Sequence, residues 1–209
     1  MKIAVVAANG KAGQLIVEEG LDRGMDITAI VRGENKTRAN DAIIKDVFDI
    51  EKKDIEEYDV IVDAVGGWTP ETVNIVPDAA NHLAKLLKGS ETRLLVVGGA
   101  GSLFVNEEHT QTVADVTPFP DEVIQVLNAH QKALDDLRDY DDVKWTYISP
   151  AGDFQADGER TGKYTLGGEE LILNSQGESV ISYADYAIAM IDEIESGSHI
   201  KERISVVSE

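Results

Sequence analysis

The chain has 209 residues, no cysteine and a formal net charge of −20, which arises from 39 acidic and 19 basic residues. Without cysteine the protein has no disulfides, no thiolate metal ligands and no cysteine nucleophile. The acidic surplus repels polyanions and no local basic patch offsets it, so the sequence predicts no nucleic-acid partner.

One domain covering residues 1–209 is predicted, because the chain has the length of a domain and contains no linker-like stretch. No apolar run reaches membrane-spanning length, and the first residues lead straight into a predicted strand with no room for a signal peptide. We therefore expect a soluble, cytoplasmic protein without membrane contact. The sequence leaves its oligomeric state open.

The N-terminal segment predicts a strand, a glycine-containing turn, a helix and a second strand. Residues 2–8 form a short apolar, β-branched run that is typical of a buried parallel strand. A helical pattern then places Leu15 and Ile16 on one face, and a second apolar run covers residues 25–31. This order of elements within about 30 residues is typical of a dinucleotide-binding βαβ unit.

The turn after the first strand is the candidate phosphate-binding element. Gly10 lacks a Cβ where phosphate oxygens would approach the N–H groups of the helix N-terminus, and Gly13 would let the helix pack closely on the strand. Ala7 occupies the first position of the usual three-glycine pattern, so a purely structural turn is the alternative. The cofactor contacts predicted from this turn are Ala8, Asn9, Gly10, Lys11, Ala12 and Gly13.

The end of the second strand indicates which dinucleotide is bound. NAD sites place Asp or Glu about 20 residues past the glycines, whereas this strand ends at Arg32 and is followed by Lys36 and Arg38. A guanidinium binds phosphate through two parallel hydrogen bonds. NADP is therefore predicted over NAD, with Arg32 as a cofactor contact; a solvated charge at the strand end is the alternative.

Strands and helices alternate through the rest of the chain. Further strands are predicted over residues 42–45, 59–65, 93–97, 143–148 and 200–207. Further helices are predicted over residues 49–57, 69–88, 121–138 and 182–195. The alternation predicts an α/β fold with a doubly wound parallel sheet, that is, a Rossmann fold.

Two segments depart from this alternation. Residues 103–120 form a long predicted loop, and loops of this length in compact domains are often functional. Residues 151–180 are rich in glycine and contain period-2 patches, which predict a small β-hairpin insertion over the site. Ser182 and Asp185 then predict a capping box at the start of the last helix.

Ligands of such a sheet bind outside the carboxyl ends of its strands, where the strand order reverses. Asp46 at one strand end would suit the amino group of adenine or cap the next turn. Trp68 would stack on an aromatic substrate or shield the site, with packing as the alternative. The strand ends add these predicted cofactor contacts: Asp46, Val47, Ala64, Val65, Gly66, Gly98 and Pro150.

Short-chain dehydrogenases usually carry a proton-donating Tyr-x-x-x-Lys pair on the helix after the fifth strand, and this chain has no such pair there. Their Tyr-x-x-x-Lys pair has one match here, Tyr140 and Lys144, which lies across a helix end and runs into a strand. The expected helix carries His130, either as a proton donor or as a packing residue. Ser102, which follows the fifth strand, is the predicted catalytic residue, with a turn role as the alternative. The remaining histidines form no metal-binding spacing.

Five runs resemble one family: Val96–Leu103, Trp145–Thr146, Ser149–Ala151, 158–164 and 177–187. They resemble the NmrA-like, atypical short-chain dehydrogenases related to NAD(P)H-flavin reductases. The resemblance covers almost the whole chain and is specific in its second half. The resemblance implies a Rossmann fold, an NAD(P)H cofactor and reduction of flavin-like acceptors without a Tyr-Lys pair. The cofactor positions implied are Gly10, Gly13, Arg32 and Asp46, and Ser102 falls on the acceptor side.

The predicted function is an NAD(P)H-dependent reductase that passes hydride to a flavin or a similar aromatic, quinone-like acceptor. A flavin accepts hydride on its own ring and collects a proton from water, so the protein need supply mainly positioning. A non-catalytic regulatory module that senses NADP(H) is the alternative from another class. A sugar-nucleotide epimerase is a weaker third option, because the Tyr-Lys pair is missing.

Overall fold

The computed structural model describes residues 1–209, which form ten strands and six helices. The strands are β1 (Lys2–Val6), β2 (Asp26–Val31), β3 (Asp41–Ile44), β4 (Val60–Asp63), β5 (Arg93–Val97), β6 (Lys144–Ser149), β7 (Asp153–Gln155), β8 (Tyr164–Gly167), β9 (Val180–Ser182) and β10 (Glu202–Ser208). The helices are α1 (Lys11–Asp22), α2 (Lys52–Ile55), α3 (Ile75–Leu86), α4 (Val113–Val116), α5 (Asp121–Arg138) and α6 (Tyr183–Ser196). None of the helices combines the length and the apolar character that crossing a bilayer requires.

Eight strands form one sheet in the order β3-β2-β1-β4-β5-β6-β10-β8. The first seven strands in this order, from β3 to β10, run parallel to one another, and β8 pairs antiparallel with β10. The chain leaves β1 toward β2 and β3 on one side and later returns to β4 on the other side. The strand order therefore reverses between β1 and β4, and the predicted doubly wound Rossmann sheet is confirmed.

Helices cover both faces of the sheet. On one face α1 packs against α6, and on the other α3 packs against α5. Ile16 and Tyr186 belong to the apolar cluster under the first pair, while Leu83 and Leu134 belong to the cluster under the second. The buried strands have side chains in both clusters, which explains their near-continuous apolar sequence.

The predicted β-hairpin over residues 151–180 is wrong. β8 pairs with the distant last strand β10, and the short strands β7 and β9 form a separate parallel pair. A Cβ on Gly167 of β8 would lie 2.6 Å from the hydroxyl oxygen of Ser205 on β10, so this pairing depends on a glycine. The period-2 pattern does mark a strand, but the sequence does not show that its partner is the otherwise open edge of β10.

Several element boundaries also differ from the predictions. Helix α3 begins at Ile75, because residues 69–74 form a turn in which the Thr69 hydroxyl lies 3.0 Å from that of Thr72. The predicted loop 103–120 contains the short helix α4, which is capped by Thr112. These differences lie in connecting segments and leave the sheet unchanged.

The predicted capping box of α6 forms only in part. The Ser182 hydroxyl accepts a hydrogen bond of 3.0 Å from the backbone N–H of Asp185, as expected of an N-cap. The Asp185 carboxylate instead accepts from the backbone N–H groups of Thr161 and Gly162, at 3.0 and 2.8 Å. It thereby anchors the segment between β7 and β8 onto the start of α6.

Candidate functional site

A cavity of about 480 Å³ opens at the carboxyl ends of the central strands, where the strand order reverses. This is the position at which open α/β sheets bind their ligands. The predicted cofactor residues that line it are Asn9, Gly10, Lys11, Ala12, Arg32, Asp46, Val47, Ala64, Val65, Gly66 and Gly98. The structure thus brings together residues from five separate stretches of the sequence.

Three predicted contacts do not line the cavity. Ala8 and Pro150 are buried beneath it. A Cβ on Gly13 would lie 2.8 Å from the Ala7 carbonyl oxygen and 2.9 Å from the Ala8 Cα. Direct cofactor contact of these three residues stays a prediction, and the role that the structure gives Gly13 is close packing of α1 on β1.

The turn between β1 and α1 keeps its shape without the leading glycine. Ala7 adopts a left-handed conformation with φ 58°, and its carbonyl accepts a hydrogen bond of 2.9 Å from the N–H of Gly10. An alanine in this region is strained, typically by about 1–2 kcal/mol, and the surrounding structure must hold it there. Ala7 thus occupies a conformation that a glycine would adopt at lower cost.

This turn fits a dinucleotide pyrophosphate. The N-terminus of α1 has no side-chain cap, and the first N–H groups of a helix have no intrahelical acceptor. Gly10 presents bare backbone there, and Lys11 adds a positive charge in an exposed pair 3.9 Å from Asp157. Unpaired donors, the helix dipole and a cation together favour a bound anion.

Arg32 occupies the exposed end of β2 within the cavity wall. Asn9 organises the loop beyond it, because its side chain donates to the Glu34 carbonyl and accepts from the Lys36 N–H, both at 2.8 Å. The nearby Arg38 pairs instead with acidic residues of α1. Arg32, which makes no such pair, is the guanidinium available to a ligand.

Asp46 lines the cavity and also caps the next turn. Its carboxylate accepts a hydrogen bond of 3.1 Å from the N–H of Phe48, at the start of a 3₁₀ turn over Val47–Asp49. The capping alternative is therefore confirmed. The contact with adenine stays a prediction, since a carboxylate has a second oxygen to offer.

Ser102 does not line the cavity and lies in a buried hydrogen-bond network. Its side chain is buried, and its hydroxyl oxygen accepts a hydrogen bond of 3.0 Å from the guanidinium of Arg203 on β10. The same guanidinium donates to the Glu169 carbonyl at 3.1 Å. The structure thus gives the Ser102 hydroxyl a structural hydrogen bond, and its catalytic role stays a prediction.

Beyond the predicted cofactor contacts, the cavity wall includes four aromatic side chains among mainly aliphatic ones. Phe154 and Tyr183 lie in contact there, with ring centroids 3.9 Å apart, and neither was predicted. Trp68 is predicted to stack on an aromatic substrate or to shield the site, with packing as the alternative. It lines the cavity and is 67 % exposed. Burial raises the pKa of Tyr183, so its hydroxyl keeps its proton at neutral pH.

His130 also lines the cavity. Its Nδ1 atom is buried and has no hydrogen-bond partner. Burial lowers the pKa of His130 to about 4, so the imidazole is neutral at physiological pH. A neutral imidazole carries one N–H donor and is not a ready source of protons.

Comparison with known proteins agrees with this geometry. The family model described as NAD(P)H-binding matches residues 7–196. The Bacillus subtilis (strain 168) protein YwnB is 44 % identical over 212 residues, covering 100 % of this chain and 99 % of its own. The chain therefore belongs to the NAD(P)H-binding family, and its fold is that of the NmrA-like atypical short-chain dehydrogenases.

Solved structures identify close neighbours within that fold. The proposed NADH-flavin reductase SP1627 from Streptococcus pneumoniae TIGR4 is 48 % identical, with a TM-score of 0.97 and 100 % of both chains covered. A proposed epimerase from Bacteroides thetaiotaomicron is 31 % identical, with a TM-score of 0.85 over 99 % of this chain and 96 % of that one. The predicted family resemblance is confirmed.

Proposed function

We propose that this protein is an NADPH-preferring reductase that passes hydride to a flavin or a similar aromatic, quinone-like acceptor. The observation that carries the proposal is the composition of a single cavity. Its lining combines bare backbone at a helix N-terminus and the unpaired Arg32 with the aromatic rings of Trp68, Phe154 and Tyr183. The likeness to SP1627, itself a proposed NADH-flavin reductase, supports the same class of acceptor.

Different residues bind the pyrophosphate and the 2′-phosphate of the dinucleotide. The N-terminus of α1 holds the pyrophosphate through backbone N–H groups, with Lys11 beside it. Arg32 takes the 2′-phosphate that distinguishes NADP from NAD. When bound, the reduced dinucleotide supplies a hydride, which leaves it oxidised and reduces the acceptor by two electrons.

The cavity is suited to an acceptor that needs little acid–base help. Tyr140 is the one tyrosine with a lysine four residues later, Lys144, and neither residue lines the cavity. The Tyr140 hydroxyl donates a hydrogen bond of 2.5 Å to the side-chain oxygen of Asn81. Trp68, Phe154 and Tyr183 offer apolar rings against which a planar acceptor can pack. Positioning of the two partners is the main contribution that the protein can make to such a transfer.

The direct test is oxidation of NADPH by the purified protein, followed at the absorbance of the reduced nicotinamide. We expect turnover above the protein-free blank with FMN, FAD, riboflavin or a simple quinone. Tight NADPH binding without turnover on any of these acceptors, together with a change of oligomeric state, would contradict the proposal and indicate a sensor.

Replacing Arg32 with alanine should weaken NADPH binding by roughly ten- to a hundredfold, because hydrogen bonds to a charged group contribute about 1.5–3 kcal/mol. Binding of NADH, which lacks the 2′-phosphate, should be nearly unchanged. Isothermal titration of both dinucleotides measures the difference. Arg38→Ala is the matched control, because that guanidinium is paired with Glu18 and Asp22. Equal affinities of the unsubstituted protein for both dinucleotides would remove the NADP preference.

A further inference from the structure

The imidazole of His130 is held in one place by close packing. A Cβ on Gly99 would lie 2.9 Å from both Cβ and Cγ of His130, so only a glycine lets α5 approach the end of β5 this closely. The Tyr147 hydroxyl donates to the His130 carbonyl at 3.0 Å and accepts from the Gly99 N–H at 3.1 Å. These hydrogen bonds and this packing hold α5, the end of β5 and the cavity wall together.

The two ring nitrogens of His130 are in different surroundings. Nδ1 is buried without a partner, whereas Nε2 has neither a hydrogen bond nor complete burial. A buried N–H without an acceptor is costly, so the single proton of the neutral ring belongs on the nitrogen that a ligand or water can reach. The Nε2–H group is therefore the donor that this ring presents to the cavity.

We propose that the Nε2–H of His130 donates a hydrogen bond to a carbonyl oxygen of the acceptor, which makes His130 a catalytic residue. The inference rests on the proposed function and narrows its substrate class. The acceptor is a planar ring system whose carbonyl is conjugated with the position that takes up the hydride, as in flavins and quinones. Trp68, Phe154 and Tyr183 supply apolar walls for its ring.

The chemistry explains why a neutral donor suffices. The hydride forms a new C–H or N–H bond on the acceptor ring, and the electron pair that it displaces moves through the conjugated system onto the carbonyl oxygen. His130 stabilises this negative charge by its hydrogen bond and keeps its own proton. Water then protonates the oxygen and leaves hydroxide to the buffer, so the acceptor has gained two electrons and two hydrogens.

Replacing His130 with leucine should lower kcat for FMN and menadione by about a hundredfold, which is the usual effect of removing one donor to a developing oxyanion. The dissociation constant for NADPH should change little. Methylene blue is a planar acceptor without a carbonyl group, and its reduction should depend only weakly on His130. Comparison of these acceptors separates loss of the hydrogen bond from general damage to the cavity.

Two amide variants sharpen the test. The amide nitrogen of His130→Gln can reach the position of Nε2, so this variant should recover most of the activity lost in His130→Leu. The shorter side chain of His130→Asn resembles the Nδ1 side of the ring and should recover little. His109→Gln is the control, because His109 is exposed and lies outside the cavity.

Nitrogen-15 NMR of the labelled, ligand-free protein gives a readout that is independent of turnover. We expect His130 as the neutral Nε2–H tautomer down to pH 5.5. The Nδ1–H tautomer, or equal loss with FMN and methylene blue in the leucine variant, would overturn the inference while leaving the reductase intact. Absence of turnover in the unsubstituted protein would instead refute the proposed function and the inference with it.

Discussion

Replacing Gly10 with valine should lower NADPH affinity by roughly a hundredfold or more, because two or more charge-assisted hydrogen bonds to the pyrophosphate would be lost. Gly10 has φ −67° and ψ 161°, which any residue can adopt, so the backbone needs no glycine for its own conformation. A Cβ there would lie 3.3 Å from the Ala7 carbonyl, which requires only a small adjustment. The valine side chain would instead occupy the space through which a phosphate approaches.

Isothermal titration with NADPH measures this effect, and thermal unfolding shows whether the variant is folded. Gly168→Val is a matched control, since its Cβ would meet only the Glu170 carboxylate at 3.6 Å and the residue does not line the cavity. Gly13 is unsuitable for the same experiment, because a Cβ there would collide with backbone atoms and disturb the fold. Unchanged NADPH affinity in Gly10→Val would show that the pyrophosphate binds elsewhere.

The parts of the fold that could be predicted depend on local sequence. Residues 3–8 are apolar, as expected of a strand that is buried on both faces, and the glycines mark where α1 approaches it. The pairing of β8 with β10 could not be predicted, because those strands are separated by the whole of α6 and share no turn. Local alternation shows that a strand exists, whereas only the assembled sheet shows which open edge it covers.

The residues of the candidate site also differ in whether local sequence is enough to predict them. The predicted cofactor contacts follow directly after strands, so alternation of elements was enough to predict that most of them lie around one cavity. The aromatic part of the wall takes Trp68 from the segment after β4, His130 from α5, Phe154 from β7 and Tyr183 from α6. No sequence spacing connects these four residues. Ser102 was predicted because it follows a strand, but its loop turns back toward β10.

A buried carboxyl group lies beside the site at the end of β4. Asp63 ends β4, is 2 % exposed, and accepts one hydrogen bond of 3.0 Å from the N–H of Val65. Burial raises its pKa from 3.8 to about 7, against the smaller opposing effect of that hydrogen bond. Because the unfolded chain ionises near the lower value, the folded state binds more protons between these two pH values. Stability from this group is therefore fully present below pH 4 and is lost as the pH rises to 7.

Replacing Asp63 with asparagine should remove this loss. Each unit of pKa shift corresponds to about 1.4 kcal/mol, so the variant should be more stable than the unsubstituted protein by up to about 4 kcal/mol at pH 8. At pH 4, where the aspartic acid is neutral in both states, the two proteins should differ little. The amide oxygen of the variant can accept the same hydrogen bond from Val65.

Urea unfolding of both proteins at pH 4 and pH 8 measures the difference in the free energy of unfolding. All other titrating groups are shared, so their contributions cancel when the two proteins are compared at each pH. Carboxylates that gain partners on folding make most proteins less stable in acid, and Asp63 acts in the opposite direction because burial disfavours its charge. A stability difference that is the same at both pH values would show that Asp63 is ionised in the folded protein. The carboxylate would then need a cation or further donors that its surroundings in this structure do not provide.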